Sequence, residues 1–312
     1  MQKVFKNVKI FTVCKPEIGS GHLIRSLLIK NALENFVQNV KIYGEFVKVP
    51  THINKIEHIE FKNLNKFDFN NDDFIIIDTY IGRSYFNNLN VKKFIMHDLG
   101  INDDINNAIK IDMNFASDNE IDSNKSIQGY KYFPIGFNSK PEFKSKKVVG
   151  SKLSKKILIS LGGVSDKSLI DIKKVASLVD VNNYEIFIAD PSKKLSKLKD
   201  LQGYNFIHGK YLSDILKNHL FKFAILGGGI SKFITISSGL PCIYIARNEL
   251  EKIHLQNIRN LNLGYVVNSL EEIKHGMEYI EENYELICKT SWDAIDGSGP
   301  NRFLKALEQK LN

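Results

Sequence analysis

The residues with the clearest chemical potential form a short glycine-containing stretch near the N-terminus, Gly19-Ser20-Gly21-His22, followed by Arg25. Glycines let a backbone approach a bound group closely, and the free amides of a helix N-terminus favour anions. The helix dipole disfavours a charged imidazole there, so we expect a neutral His22 that accepts a proton. Arg25 follows one turn later, where a guanidinium suits a phosphate. The alternative is a structural turn with a half-exposed histidine.

A strand before this stretch and a helix after it must position these groups. Residues 8–13 have the composition of a strand, and apolar residues recur at helical spacing from 23 to 33. The glycine spacing is not that of the G-x-G-x-x-G dinucleotide fingerprint. We therefore predict a strand that ends near Val13 and a helix over about 22–36.

The Gly-x-Gly-His-x-x-Arg sequence after the first strand resembles a signature of the nucleotide-sugar hydrolases of pseudaminic acid biosynthesis, which are similar to spore-coat polysaccharide proteins. Those enzymes release UDP from UDP-2,4-diacetamido-2,4,6-trideoxy-β-L-altropyranose. The resemblance implies an α/β, GT-B-like fold, with two Rossmann-like doubly wound domains that face a central cleft. It also implies that the first domain holds the sugar and the second the nucleotide, and that no metal or cofactor is needed.

Strands alternate with helices in both halves of the chain, which predicts two parallel α/β domains. A chain of 312 residues is long enough for two such cores. We predict an N-terminal Rossmann-like domain at 1–140, a lysine-rich linker at 141–155 and a C-terminal Rossmann-like domain at 156–312. By the resemblance, the terminal helix is able to cross back to the first domain.

The apolar runs place the individual elements. Strands are predicted near 40–43, 58–61, 74–78, 94–98 and 111–114, and residues 100–128 should be rich in loops. In the second half, strands are predicted at 157–161, 184–189, 205–207, 223–226 and 242–246. Helices are predicted at 166–178, after the glycines at 227–229 as far as 238, and near 251–261, 269–285 and 300–311.

Asp78 and Tyr80 follow a continuous apolar run and match an Asp-x-Tyr block of the resembled family. Ligands of doubly wound sheets bind beyond the carboxyl ends of the strands. The resemblance implies that Tyr80 bonds near the sugar and that Asp78 orients a neighbour or a water. The alternative is a strand-end carboxylate that caps a helix. His97-Asp98 ends another strand, and we interpret that pair as structural.

Two glycine turns in the second half are the predicted nucleotide-binding segments. Gly162 and Gly163 resemble a Gly-Gly-x-Asp turn with one extra residue before Asp166, for which we favour an N-cap role. The other turn contains Gly228 and Gly229, which expose successive amides before a helix.

Ser231 and Lys232 add donors in the first turn of that helix. The spacing is not that of a Walker A loop. The chain departs from the family pattern here, because Ile234 stands where a ribose-binding glutamate is expected. The family's Asn-Gln pair appears as Asn248-Glu249. Burial of ribose hydroxyls against an isoleucine, without hydrogen bonds, would cost about 1–3 kcal/mol for each hydroxyl. The identity of the nucleobase is therefore left open.

A block resembling Asp-Gly-x-Gly-x-x-Arg precedes the last helix, and the roles of its Asp296 and Arg302 are left open. The net charge is +8, which suits an anionic ligand. No recognised nucleic-acid motif accompanies it, so we expect no nucleic-acid partner. Three cysteines without metal-ligand spacing fit a reducing cytoplasm, and we expect no membrane span.

The sequence therefore predicts a hydrolase that releases a nucleoside diphosphate from a nucleotide sugar, with UDP the first choice of nucleotide. His22 is the expected general base, or it positions a water. The glycine-loop amides, with Lys232 and Arg25, are expected to stabilise the departing diphosphate. One alternative is a GT-B glycosyltransferase that moves an amino-deoxy sugar to a glycan or protein. Another is a non-catalytic protein that binds a sugar nucleotide. The oligomeric state is left open.

Overall fold

A computed structural model describes residues 5–15, 18–47, 56–69, 73–98, 105–115, 125–135, 152–162, 166–190, 203–208 and 212–311. The chain divides into two compact units, one of residues 1–136 with 298–312 and one of residues 137–297. The last helix, predicted within 156–312, thus belongs to the first unit. Gly163 and most of the predicted linker at 141–155 lie outside the described residues.

The strands in chain order are β1 (Phe5–Cys14), β2 (Val37–Phe46), β3 (Ile56–His58), β4 (Phe74–Asp78), β5 (Lys93–Met96), β6 (Ala108–Asp112), β7 (Ser126–Gln128), β8 (Lys156–Ser160), β9 (Glu185–Asp190), β10 (Asn205–His208), β11 (Phe223–Gly227), β12 (Cys242–Ile245) and β13 (Tyr265–Val267). The helices are α1 (Gly21–Leu33), α2 (Asp166–Leu178), α3 (Leu212–Asn218), α4 (Ser231–Ser237), α5 (Glu249–Leu255), α6 (Ile273–Glu282), α7 (Tyr284–Ala294) and α8 (Gly299–Leu311).

The sheet of the first unit has the described order β3-β2-β1-β4-β5-β6-β7, with every pair parallel. All five residues of β4 are buried, as expected for a parallel strand covered on both faces. The order of the strands reverses at the pair β1 and β4, because β2 and β3 lie on one side of this pair and β5, β6 and β7 on the other. At this reversal point, Thr12 of β1 pairs with Asp78 of β4. The crevice beyond the carboxyl ends of two such strands is the usual ligand position of a doubly wound sheet.

The second unit repeats this arrangement. Its described strands have the order β10-β9-β8-β11-β12-β13, again all parallel, and the reversal lies between β8 and β11. Apolar residues of β8, β11 and β12 pack against α2, α6 and α7 in one core. The structure is therefore α/β with two doubly wound parallel sheets, as predicted.

Helix α8 packs on the first unit through a close backbone approach. A Cβ atom added to Gly299 would lie 2.0 Å from the carbonyl oxygen of Phe133, so only glycine fits there. Nε of Arg302 donates to the carbonyl of Lys131 at 2.8 Å. Arg302 thereby helps to attach α8 to the 3₁₀ turn at Tyr130–Tyr132.

Several predicted elements differ from the structure. Helix α1 ends at Leu33 rather than near 36. Strand β3 covers Ile56–His58 rather than the predicted 58–61, and Phe61–Lys66 forms a 3₁₀ turn. The amide of Phe61 donates to Oε1 of Glu45, and its ring is buried, so tertiary contacts determine this turn. The predicted helix at 269–285 is shorter, and β7, β13, α3 and α7 were not predicted.

Candidate functional site

His22 and Asp78 form the centre of a buried polar network at the reversal point of the first sheet. His22 lies in the first turn of α1, and Asp78 ends the adjacent β4. Nδ1 of His22 lies 2.6 Å from Oδ1 of Asp78. Since an ionised carboxylate only accepts, Nδ1 is assigned the proton, and in the neutral imidazole Nε2 then carries the lone pair. Among the described residues, Nε2 has no hydrogen-bond partner. The imidazole is thus held in the tautomer that a general base requires.

Arg25 lies between two carboxylates and is itself buried. Its guanidinium donates to both oxygens of Asp78, at 2.6 and 2.9 Å. It also donates to both oxygens of Asp98, at 3.0 and 3.2 Å. The expectation that Arg25 meets a phosphate is not met in this arrangement, because its donors are directed at protein carboxylates. Its effect is to fix Asp78, and through Asp78 the ring of His22.

Tyr80 completes this network on its more exposed side. Its hydroxyl donates to Oδ2 of Asp98, and its ring stands edge-on to that of His22 at a centroid distance of 4.3 Å. Asp98 also accepts from Nδ2 of Asn114 at 3.1 Å. The predicted residues His22, Asp78 and Tyr80 are therefore brought together, and Asp98 links them.

The electrostatics of the network follow from burial and paired charge. Burial alone would raise the pKa of Asp78, but Arg25 and then His22 outweigh it and hold that pKa below its usual value. Burial would lower the pKa of Arg25, but the two carboxylates raise it above its usual value. Burial, with Asp98, raises the pKa of the Tyr80 hydroxyl. Asp78 is therefore ionised and Tyr80 neutral at pH 7.

Asp112 lies at the edge of the network and is fully buried. Its Oδ1 accepts from the amide and from Nδ2 of Asn114, at 2.9 and 3.0 Å. Within the described residues, its Oδ2 has no hydrogen-bond partner. Burial, followed by the charge of Asp98, raises the pKa of this carboxyl to about 6.

The predicted glycine turn lies directly before His22. Gly19 has φ +83°, a left-handed conformation that favours glycine, and open space surrounds the position of a Cβ atom. Ser20 is the N-cap residue of α1, and its side chain does not cap the helix. Gly21 is the first helical residue. The side chain of Ser20 therefore leaves the first amides of α1 uncapped, and such amides favour anions.

In the second unit, an ion pair joins the carboxyl ends of β8, β11 and β12. Nη1 of Arg247 donates to the carbonyl of Leu161 at 2.5 Å, and its Nε lies 3.2 Å from both carboxylate oxygens of Glu251. Oε2 of Glu251 also accepts from the amides of Arg247 and Gly228, at 3.0 and 3.3 Å. Burial would raise the pKa of Glu251, but Arg247 outweighs it and lowers that pKa.

The residues predicted to bind the nucleotide at the second glycine turn differ in burial and in their contacts. Lys232 is 2% exposed, and its ammonium donates to the carbonyl of Gly228 at 3.0 Å. Gly228 is packed against Glu251, whereas a Cβ atom on Gly229 would meet open space. Ser231 begins α4 and is half-buried. In this arrangement Lys232 is directed at the protein backbone.

Other predicted positions have identifiable structural roles. Asn248 is the N-cap of α5, where its Oδ1 accepts from the amide of Glu251 at 2.8 Å. Gly162 has φ +84° and is exposed after β8. Asp166 is the first residue of α2. Ile234 lies partly exposed in α4, so an aliphatic surface stands at the position of the expected glutamate.

This architecture is similar to that of several solved structures. Among solved structures, MnaA of S. aureus with UDP has a TM-score of 0.66 and 12% identity, covering 98% of this chain and 97% of that chain. The spinosyn rhamnosyltransferase SpnG has 0.64 and 11%, covering 97% and 100%. MurG of Acinetobacter baumannii has 0.60 and 9%, covering 97% and 99%. The fold is of the GT-B type.

No protein-family model matches the chain. Among curated proteins, the chain is similar to the uncharacterized protein MJ1062 of Methanocaldococcus jannaschii, at 28% identity over 310 residues. The match covers 84% of this chain and 62% of that protein, so the chain spans less than two thirds of the length of its relative.

Two features are absent from the part of the chain that the structure describes. No helix there is long and apolar enough to cross a bilayer. No group of three or more His, Cys, Asp or Glu side chains there is arranged to hold a metal ion.

Sequence reasoning interpreted Asp98 as structural and did not single out Asn114, Arg247 or Glu251. Asp98 follows an apolar strand as Asp78 does, so the pattern of a carboxylate beyond a buried strand was a usable signal. Arg247 follows the strand β12 in the same way. Glu251 lies within a helix, and nothing in its local sequence distinguishes it from an exposed helical glutamate.

Proposed function

We propose that the protein is a nucleotide-sugar hydrolase with a GT-B fold. It releases a nucleoside diphosphate from a UDP-linked diacetamido-trideoxy sugar, as in the pseudaminic-type and surface-polysaccharide pathways of the resembled family. The observation that carries the proposal is the 2.6 Å bond from Nδ1 of His22 to Asp78, which leaves Nε2 as an acceptor. The Gly-x-Gly-His-x-x-Arg resemblance supports the choice of substrate.

The reaction needs one base and one activated leaving group. Nε2 of His22 takes a proton from water as the water oxygen bonds to the anomeric carbon of the sugar. The bond from that carbon to the diphosphate oxygen breaks, and the diphosphate leaves with the electron pair. Asp78 stabilises the imidazolium that forms, as a carboxylate does in other His–Asp pairs. We assign Tyr80, whose ring stands beside that of His22, to a hydrogen bond with the sugar.

We assign the nucleotide to the second unit. The comparison structures support a nucleotide ligand, because SpnG was solved with thymidine diphosphate and MnaA with UDP. Gly229 lies at the carboxyl end of β11 with open space around it, and the amides near it suit a diphosphate.

A glycosyltransferase is the second candidate, and the names of two comparison structures support it. SpnG is a rhamnosyltransferase, and SpnP is a forosaminyltransferase with a TM-score of 0.58. The same His22–Asp78 pair would then deprotonate a hydroxyl of a glycan or protein acceptor in place of water. The two functions differ only in the nucleophile.

Incubation with UDP-2,4-diacetamido-2,4,6-trideoxy-β-L-altropyranose, followed by chromatography for UDP, separates the candidates. Release of UDP and free sugar in buffer alone supports the hydrolase. Release only after an acceptor glycan or protein is added supports the transferase. Binding of the substrate without release under either condition contradicts both and favours a binding protein.

A further inference from the structure

The second unit contains a cationic side chain, that of Arg247, which the sequence analysis did not single out. Arg25 is directed at two carboxylates, and Lys232 is buried on a backbone carbonyl. Arg247 lies beyond the carboxyl ends of β8, β11 and β12, and its side chain keeps 26% of its surface exposed. This is the edge of a doubly wound sheet at which ligands bind.

The guanidinium of Arg247 retains unused donors. It has five N–H groups, of which Nη1 is bonded to Leu161 and Nε and Nη2 to Glu251. Among the described residues, the other two N–H groups, one on each Nη atom, have no acceptor. A fork of two parallel N–H groups matches the oxygens of a phosphate.

Two glycines keep this guanidinium uncovered. A Cβ atom on Gly162 would lie 3.2 Å from Nη1, and one on Gly227 would lie 3.1 Å from Nε. Gly162 follows β8 and Gly227 ends β11, and these two strands flank the reversal point of the second sheet. Larger residues at either position would crowd the guanidinium and cover part of its surface.

Glu251 holds the guanidinium in place. Its carboxylate is 10% exposed, pairs with Arg247 from one side and is fixed by the amides of Arg247 and Gly228. A guanidinium that is fixed beforehand loses less rotamer entropy when it binds a ligand, so it binds more tightly. Lys232 adds a second cation at the carbonyl of Gly228.

We propose that Arg247, fixed by Glu251, binds the diphosphate of the nucleotide with its two remaining N–H groups. The proposal rests on the proposed function for the identity of the nucleotide, but it concerns the phosphates alone. The shared chemistry is a diphosphate, whether free as pyrophosphate or carried by a nucleoside. Glu251 is a positioning residue, because it acts on the ligand only through Arg247.

Isothermal titration of the full chain with UDP, inorganic pyrophosphate and uridine tests this assignment. We expect Arg247→Ala to weaken the binding of UDP and pyrophosphate at least tenfold, with uridine binding unchanged. Arg247→Lys keeps a charge without the fork and should give an intermediate loss. Arg259→Ala is the matched control, because Arg259 lies over the rings of Tyr265 and Tyr279 in the same unit, and it should bind UDP within twofold of wild type.

Glu251→Gln keeps the shape of the side chain and removes its charge, so it should weaken UDP binding severalfold while Arg247 is still present. Melting curves establish that each variant is folded, and Arg247→Lys serves if the alanine variant is not. Binding of UDP by folded Arg247→Ala or Arg247→Lys within twofold of wild type overturns the assignment. Absence of UDP and pyrophosphate binding in the wild type also overturns it.

The remaining outcomes separate this inference from the proposed function. Arg247-dependent UDP binding without any UDP release from the nucleotide sugar supports the inference and contradicts the hydrolase. Pyrophosphate bound as tightly as UDP, and lost in Arg247→Ala, supports the assignment with an inorganic ligand as its source. Tighter binding of UDP than of pyrophosphate, lost in the same variant, supports the nucleotide.

Discussion

Nδ1 of His22 and Oδ1 of Asp78 lie 2.6 Å apart, although 56 residues separate them in the chain. The fold accounts for this contact. His22 lies in the first turn of the helix after β1, and Asp78 ends β4, which pairs with β1 where the order of the sheet reverses. A carboxylate that orients an imidazole in this way is the usual partner of a histidine that acts as a base.

Asp78→Asn tests the orienting carboxylate. Asparagine keeps the size of the side chain but no longer fixes the Nδ1–H tautomer, so we expect the turnover number for UDP release to fall about 10²–10⁴-fold. Loss of one anionic partner of the buried Arg25 should also lower the free energy of unfolding by about 3–5 kcal/mol. Steady-state kinetics and urea denaturation measure the two effects.

Asp73→Asn is its control, because Asp73 lies just before the start of β4 and accepts from the backbone amides of Lys6 and Asn7 at 2.6 and 2.9 Å. It should leave turnover unchanged. Turnover within threefold of wild type in Asp78→Asn would contradict the orienting role.

Asp112 makes stability depend on pH in a defined direction. Burial raises the pKa of its carboxyl to about 6 in the folded state, above the ordinary value. The folded state binds this proton more tightly, so the stabilising contribution is complete below the ordinary pKa and is lost as the pH rises through the folded pKa. Asp112→Asn cannot ionise, so at pH 7 we expect it to unfold with a free energy about 1–3 kcal/mol higher than wild type.

Urea denaturation of wild type and Asp112→Asn across this pH window measures that difference. The difference in unfolding free energy should be small at the acidic end and should grow until the pH exceeds the raised pKa. A difference that stays constant with pH would show that Asp112 does not titrate with a raised pKa.

The periodic parts of the fold could be predicted from the sequence, because long apolar runs such as 74–78 and 157–161 specify buried parallel strands. The missed elements are short or lack such runs. Strand β7, Ser126–Gln128, has one apolar residue between two polar ones, and pairing with β6 defines it. Only tertiary contacts distinguish such a segment from a loop.

The site could be predicted in part. His22, Asp78 and Tyr80 were identified because motifs carry them. The bonds of Arg25 could not be predicted, since its partner Asp98 is 73 residues away and the choice between a phosphate and a carboxylate depends on burial. The burial of Lys232 on Gly228 is likewise a property of the packed turn.

Gly299→Ala tests how α8 is attached to the first unit. A methyl group there would lie 2.0 Å from the carbonyl oxygen of Phe133, so the helix must shift. We expect a loss of about 1–3 kcal/mol in the free energy of unfolding, as in other overpacked positions. Asn301→Ala, at an exposed position in the same turn, should change it by less than about 0.5 kcal/mol. Equal stability of the two variants in chemical denaturation would contradict the close approach.

The most direct measurement is the rate of UDP release by wild type, His22→Asn and His275→Asn. In His22→Asn, an amide nitrogen replaces Nδ1 as a donor to Asp78, but nothing replaces Nε2 as the base. His275 is exposed, and its contacts are with Glu278 and the ring of Tyr265. The account predicts a fall of about 10²–10⁴-fold in turnover for His22→Asn, with wild-type turnover for His275→Asn. Full activity of folded His22→Asn would contradict it.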